Sequence, residues 1–90
     1  MDETEDSWTT TAADAATEAA VMQQLLDLHP VRMTIAELVR EVVGQDAQFA
    51  ERDAVERAVR DLKGAGLLHR SDEFVQPTRA ALRLSELLDR

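Results

Sequence analysis

Cysteine and tyrosine are absent from this 90-residue chain, and glycine (3) and proline (2) are scarce. Without cysteine there is no disulfide, no thiol nucleophile and no thiolate metal site. The only aromatic residues are Trp8, Phe49 and Phe74. The core must therefore come from Leu, Val, Ile, Met and Ala, which suits packed helices better than a broad sheet. No apolar run approaches the ~20 residues a membrane-spanning helix needs. Residues 1–11 are acidic and polar and lack the basic and apolar regions of a secretory signal. These absences imply a cytoplasmic protein with no membrane partner. A chain of this length has room for one domain and one modest core, with little left for an enclosed active-site cavity.

Catalytic constellations are missing too. His29 and His69 are the only histidines, and neither stands in a metal-ligand motif such as H-E-x-x-H. Ser7, Ser71 and Ser85 lack a nucleophile-elbow context. Gly64-Ala65-Gly66 is followed by no lysine–serine or lysine–threonine pair, so it is no phosphate loop. The carboxylates fall on exposed helix faces and caps, not as a pair in an apolar pocket. The expectation is a protein that is not an enzyme and takes no metal or cofactor.

What is present is acid, placed unevenly. The net charge is −8, and residues 1–20 hold Asp2, Glu3, Glu5, Asp6, Asp14 and Glu18 with no base. The remaining 70 residues carry 12 acids and 10 bases and are close to neutral. Nine of the ten bases are arginine and alanine is abundant, the bias of a GC-rich bacterial genome. Residues 1–10 have few apolar side chains to offset the entropy of ordering and read as a flexible acidic tail, with the domain spanning 11–90.

Hydrophobic spacing then sets out the elements. An alanine-rich helix is expected over 11–29, with Val21, Leu25 and Leu28 on one stripe and Pro30 as its stop. Residues 31–33 are short and extended. Thr34-x-x-Glu37 is a capping box with Met33 and Leu38 as its hydrophobic staple, so a helix follows over 35–43 and ends at Gly44. Residues 45–52 connect, with Phe49 pinning the connection to the core. Asp53-x-x-Glu56 reads as a second capping box, and Val55, Val59 and Leu62 make the buried stripe of a helix over 53–65. Two short runs, 67–70 and 74–76, flank the polar turn Ser71-Asp72-Glu73 and form a hairpin, with Phe74 closing the core. Pro77 ends the second run, and Thr78 caps a last helix over 79–89 whose apolar positions are Ala81, Leu84 and Leu88.

The order is helix, short strand, helix, helix, two-stranded hairpin, helix: a mainly α chain with a small β-hairpin. The stretch Leu62-x-x-x-Gly66-Leu67-Leu68-x-Arg70, then Phe74 and Pro77-Thr78-x-x-Ala81, resembles the part of MarR-type and PadR-type transcriptional regulators where the recognition helix ends and the wing turns back. Met33-Thr34-Ile35-Ala36-Glu37-Leu38 is similar to the start of the first helix of such a unit. The resemblance covers about residues 21–88. It implies a winged helix-turn-helix fold and DNA binding, with the third helix as the recognition helix.

On that reading Arg57, Arg60 and Lys63 on the third helix, Arg52 just before its start and Arg70 at the wing contact DNA, Arg57 and Arg60 sharing a face through their spacing of three. The opposing reading is a solvated helix face of mixed charge. Residues 52–70 hold five bases against Asp53, Glu56 and Asp61, and the wing tip adds Asp72 and Glu73, which have the wrong sign for phosphate. The rival function is a protein-interaction module. Ala15, Ala19, Met22 and Leu26 lie off the first helix's buried stripe, and Leu84 and Leu87 are spare on the last helix, which together imply a homodimer. The acidic tail allows one further reading, in which Asp2, Glu3, Glu5 and Asp6 lie over Arg57 and Arg60 and compete with DNA.

Overall fold

The computed structural model describes the backbone of residues 3–89 and the side chains of residues 12–89. Seven elements follow in order: α1 (Glu3–Leu28), β1 (Met33–Thr34), α2 (Ile35–Val42), α3 (Phe49–Gly64), β2 (Leu68–Ser71), β3 (Phe74–Pro77) and α4 (Arg79–Leu88). The strands form one antiparallel sheet in the order β1-β3-β2. This is the arrangement expected from the sequence, a winged helix-turn-helix in which β2 and β3 are the wing.

Local chemistry explains the boundaries. At the start of α2 the Glu37 N–H donates to Thr34 Oγ1 (3.1 Å) while Glu37 Oε1 accepts from the Thr34 N–H (2.8 Å), closing the capping box in both directions. α3 ends in a Schellman motif: the Leu67 N–H donates to Leu62 O (2.9 Å) and the Gly66 N–H to Lys63 O (3.0 Å). The motif needs a left-handed residue, which Gly66 supplies at φ 84°. Thr78 then ties two elements together. Its Oγ1 donates to Gly66 O (2.7 Å) and accepts from the Ala81 N–H (3.2 Å), so one hydroxyl links the end of α3 to the first turn of α4.

The core lies where α1, α2, α3 and the sheet meet. Val21 and Leu25 of α1, Leu38 of α2, Val55 and Val59 of α3 and Val75 of β3 are fully enclosed. Leu68 of β2 joins the same cluster as Val39, and Ile35 and Leu67 pack against it. The chain after Gly66 thus folds back onto the interior that α2 occupies.

Several boundaries and contacts differ from the sequence reading. α1 starts at Glu3, so its backbone enters the segment read as a tail; Met1, Asp2 and every side chain of that segment lie outside the described residues. Glu3, Glu5 and Asp6 fall within the span of α1. α3 starts at Phe49, four residues earlier than the Asp53 box implied. The cap is Gln48, whose N–H donates to Glu51 Oε1 (2.8 Å), and Asp53 sits inside the helix. Phe49 does not pin the connection to the core; it is 85% exposed. It precedes Val55 by six residues, which at 3.6 residues per turn sets it far round the helix from the buried stripe. In the wing, Val75 enters the core and Phe74 takes the opposite face, because side chains alternate along a strand. Phe74 lies instead beneath the Arg32 guanidinium, 4.9 Å from its ring centroid. On α4, Ala81 is buried, whereas Leu84 and Leu88 are exposed.

Candidate nucleic-acid interface

α3 presents two flanks of different character. Arg52, Glu56, Arg60 and Lys63 follow one another at spacings of four, four and three, which keeps them on one side of the helix, and all four are exposed. Asp53, Arg57 and Asp61 repeat at a spacing of four, and Arg57 and Asp61 border the cleft to α1. There Arg57 donates to Asp53 Oδ2 at 2.9 Å and to Asp14 Oδ1 of α1 at 3.4 Å. Asp61 and Glu18 line the same cleft.

Arg57 therefore does not share a free face with Arg60, as their spacing of three implied. Val55, Val59 and Leu62 set the rotation of α3 on the core, and that rotation turns residue 57 toward α1. The bridges themselves are weak, since all three side chains are about half exposed, and each contributes on the order of 0–1 kcal/mol. Their consequence is one of direction: the guanidinium is committed to carboxylates. Asp14, from the middle of α1, meets the third helix. The side chains of Asp2, Glu3, Glu5 and Asp6 lie outside the described residues.

The first flank opens onto a groove of about 560 Å³ bounded by α2, the α2–α3 connection, α3 and the wing. Arg40 of α2, Arg52 of α3 and Arg70 of β2 line it together, with Glu56 as the only acid on its wall. Arg70 is held in place by its Nε–H, which donates to Asp72 O at 2.9 Å. That bond braces the wing turn, where Asp72 adopts a left-handed conformation at φ 57°. The structure thus brings Arg52 and Arg70 together and leaves Arg60 and Lys63 further along the same flank of α3.

Sequence reasoning missed Arg40 and Phe49. Arg40 is the one base on the β1–α2 unit, and its proximity to Arg52 and Arg70 is tertiary. Phe49 stands exposed at the first turn of α3, three residues before Arg52. The signal that would have found it is the absence of glycine and proline between residues 45 and 53, which lets the helix extend upstream.

The resulting charge is segregated. On the groove side Arg40, Arg52, Arg60, Lys63 and Arg70 face Glu56 and the wing-tip pair Asp72 and Glu73. In the α1–α3 cleft Asp14, Glu18 and Asp61 stand with Arg57, which Asp53 also bridges. The described residues contain no group of three metal-ligating side chains and no helix long and apolar enough to cross a membrane. His29 and His69 are both exposed and 40 residues apart in sequence.

The apolar residues assigned to a dimer face divide in the same way. Met22, Leu26 and Leu84 line a groove of about 360 Å³ between α1 and α4, together with Leu67, Ala81 and Leu88. Ala15 and Ala19 are exposed further up α1, and Leu87 is exposed on the flank of α4. Comparison with protein-family models, with curated proteins and with solved structures finds no match to this chain.

Proposed function

We propose that the chain is a DNA-binding winged-helix protein, a bacterial transcriptional regulator of MarR-like or PadR-like type, with α3 as its recognition helix. The observation that supports this is charge segregation. Residues 52–70 are of mixed sign in sequence, yet Asp61 lines the cleft toward α1 and Asp53 is paired with Arg57, while Arg52 lines the groove on the other flank. Arg40 and Arg70 join Arg52 from two other elements. A groove wall with three bases and one acid, with Arg60 and Lys63 further along α3, suits a phosphate backbone on both sides of an inserted helix. Arg52 and Arg60 are the residues suited to base edges, because guanidinium forks match the guanine acceptors. Lys63, Arg40 and Arg70 suit phosphate. Arg57 has no such role in this scheme.

The test is fluorescence anisotropy of a labelled random duplex at several salt concentrations. The expected result is micromolar binding at low salt that weakens steeply as salt rises. Arg52→Ala/Arg60→Ala should lower the affinity at least about tenfold and reduce the salt slope by about two. Salt-independent binding, or none at high micromolar protein, would sink the proposal.

A second reading, a protein-interaction module without DNA binding, draws on a different observation: exposed leucines beside the α1–α4 groove, together with wing-tip acids that oppose phosphate. It predicts no duplex binding under any of those conditions.

A further inference from the structure

Phe49 is the most exposed of the large apolar side chains among the described residues. It opens the first turn of α3, well round the helix from the buried Val55, Val59 and Leu62. Phe74, by contrast, is 37% exposed and has the Arg32 guanidinium over its ring. A single apolar residue on a surface needs no explanation by itself. What distinguishes Phe49 is the set of side chains around it.

Positions 49, 52, 56, 60 and 63 follow at spacings of three, four, four and three, so Phe49 heads the stripe of Arg52, Glu56, Arg60 and Lys63, and all five are exposed. At 100° per residue the ring lies within about 20° of Glu56 and Arg60 and about 60° from Arg52. Arg52 and Glu56 in turn line the groove that Arg40 and Arg70 share. The stripe thus holds three bases, one acid and one ring. The buried centre of a protein contact is depleted of charge and needs several adjacent apolar side chains, which this stripe lacks. Duplex DNA has the complementary pattern. Its phosphates flank a major groove whose base edges are polar except for the 5-methyl group of thymine.

We propose that Phe49 reads the 5-methyl group of a thymine in the major groove and makes the chain selective for thymine at that position. This rests on the reading of α3 as a recognition helix and adds an apolar contact to it. Arg52 and Arg60 match guanine acceptors, whereas the phenyl ring has no hydrogen bond to offer and gains only from an apolar neighbour. Contact with the methyl group withdraws both apolar surfaces from water, a gain that a cytosine or a deoxyuridine at the same place does not supply.

The probe is a duplex enriched from a random pool by repeated capture on the full chain. Its affinity is compared by anisotropy with that of the same duplex carrying deoxyuridine for thymine, which removes the methyl groups and keeps the base pairing. The expected loss is about three- to fivefold, the fold-change of one methyl group withdrawn from an apolar contact. Deoxyuridine placed at one position at a time should trace that loss to a single thymine. Phe49→Ala should bind both duplexes equally, near the weaker of the two affinities. Its salt slope and circular dichroism should stay unchanged, because the ring carries no charge and lies outside the core. Salt-dependent binding with no difference between the duplexes overturns this inference and leaves the groove-side reading standing. So does a pool that yields no preferred thymine, a thymine preference that survives Phe49→Ala, or an equal loss on both duplexes, which assigns the ring to general stacking. No binding to any duplex defeats the groove-side reading itself, and the methyl contact with it.

Discussion

At the scale of single residues, orientation decides more than identity. Arg57 and Arg60 are chemically the same and three positions apart, yet Arg57 is bridged to Asp14 and Asp53 and Arg60 is exposed on the other flank. Arg57→Ala is expected to leave duplex affinity within about twofold, whereas Arg60→Ala weakens it about three- to tenfold; parallel anisotropy titrations check the contrast. Equal losses would mean that the bridges to α1 open on binding. Thr78 offers a stability test at the same scale. Thr78→Ala removes both an N-cap and the bond to Gly66 O, and about 1–2 kcal/mol should be lost in urea unfolding. Phe49→Ala should change stability by less than about 0.5 kcal/mol, because the ring is 85% exposed. The capping role of Thr78 was legible in the sequence, since a threonine after a proline and before an apolar period is a local signal. The surroundings of Phe49 and Arg57 were not, because each depends on how far α3 extends and how the core rotates it.

At the scale of elements, the strongest local signals located the helices and strands, and their errors share a cause. Thr34-x-x-Glu37 and Gly66 acted where expected, since each satisfies backbone groups that nothing else nearby can reach. Asp53-x-x-Glu56 has the same form, but helix-forming residues upstream let α3 begin at Phe49, and Asp53 became the i,i+4 partner of Arg57. In the wing a one-residue difference in phase exchanged Phe74 for Val75, as a period of two always allows. Hydrophobicity favours the larger side chain inside; pairing of β3 with both neighbours, Thr34 and Ser71 opposite Phe74, decides otherwise. Gly66→Ala isolates the turn that joins α3 to the wing. Nothing lies within 4 Å of the added methyl group, so strain at φ 84° is the whole effect. About 1 kcal/mol of destabilisation is expected from urea midpoints, with the circular dichroism spectrum retained.

At the scale of the whole molecule, the fold gathers Arg40, Arg52 and Arg70 of an acidic chain along one groove. The architecture was legible because element order, the Thr34 and Thr78 caps and the Gly66 turn agree on a winged helix. The functional face was legible only in part. Arg52, Arg60, Lys63 and Arg70 were found from their positions on the third helix and the hairpin, whereas Arg40 joins them through packing of α2 against α3, which no local pattern encodes. If the groove side binds DNA, acids on it should oppose that binding. Glu56→Gln is expected to raise low-salt duplex affinity about two- to fivefold, and Asp61→Gln, on the α1 side, to leave it nearly unchanged. The most direct measurement of the central claim is a titration of 15N-labelled protein with duplex DNA, followed by amide chemical shifts. The account predicts that shifts cluster at Arg40, Arg52, Arg60, Lys63 and Arg70, with Asp14 and the α1 side unmoved. Shifts confined to α1 and α4, or spread evenly over the surface, would contradict it.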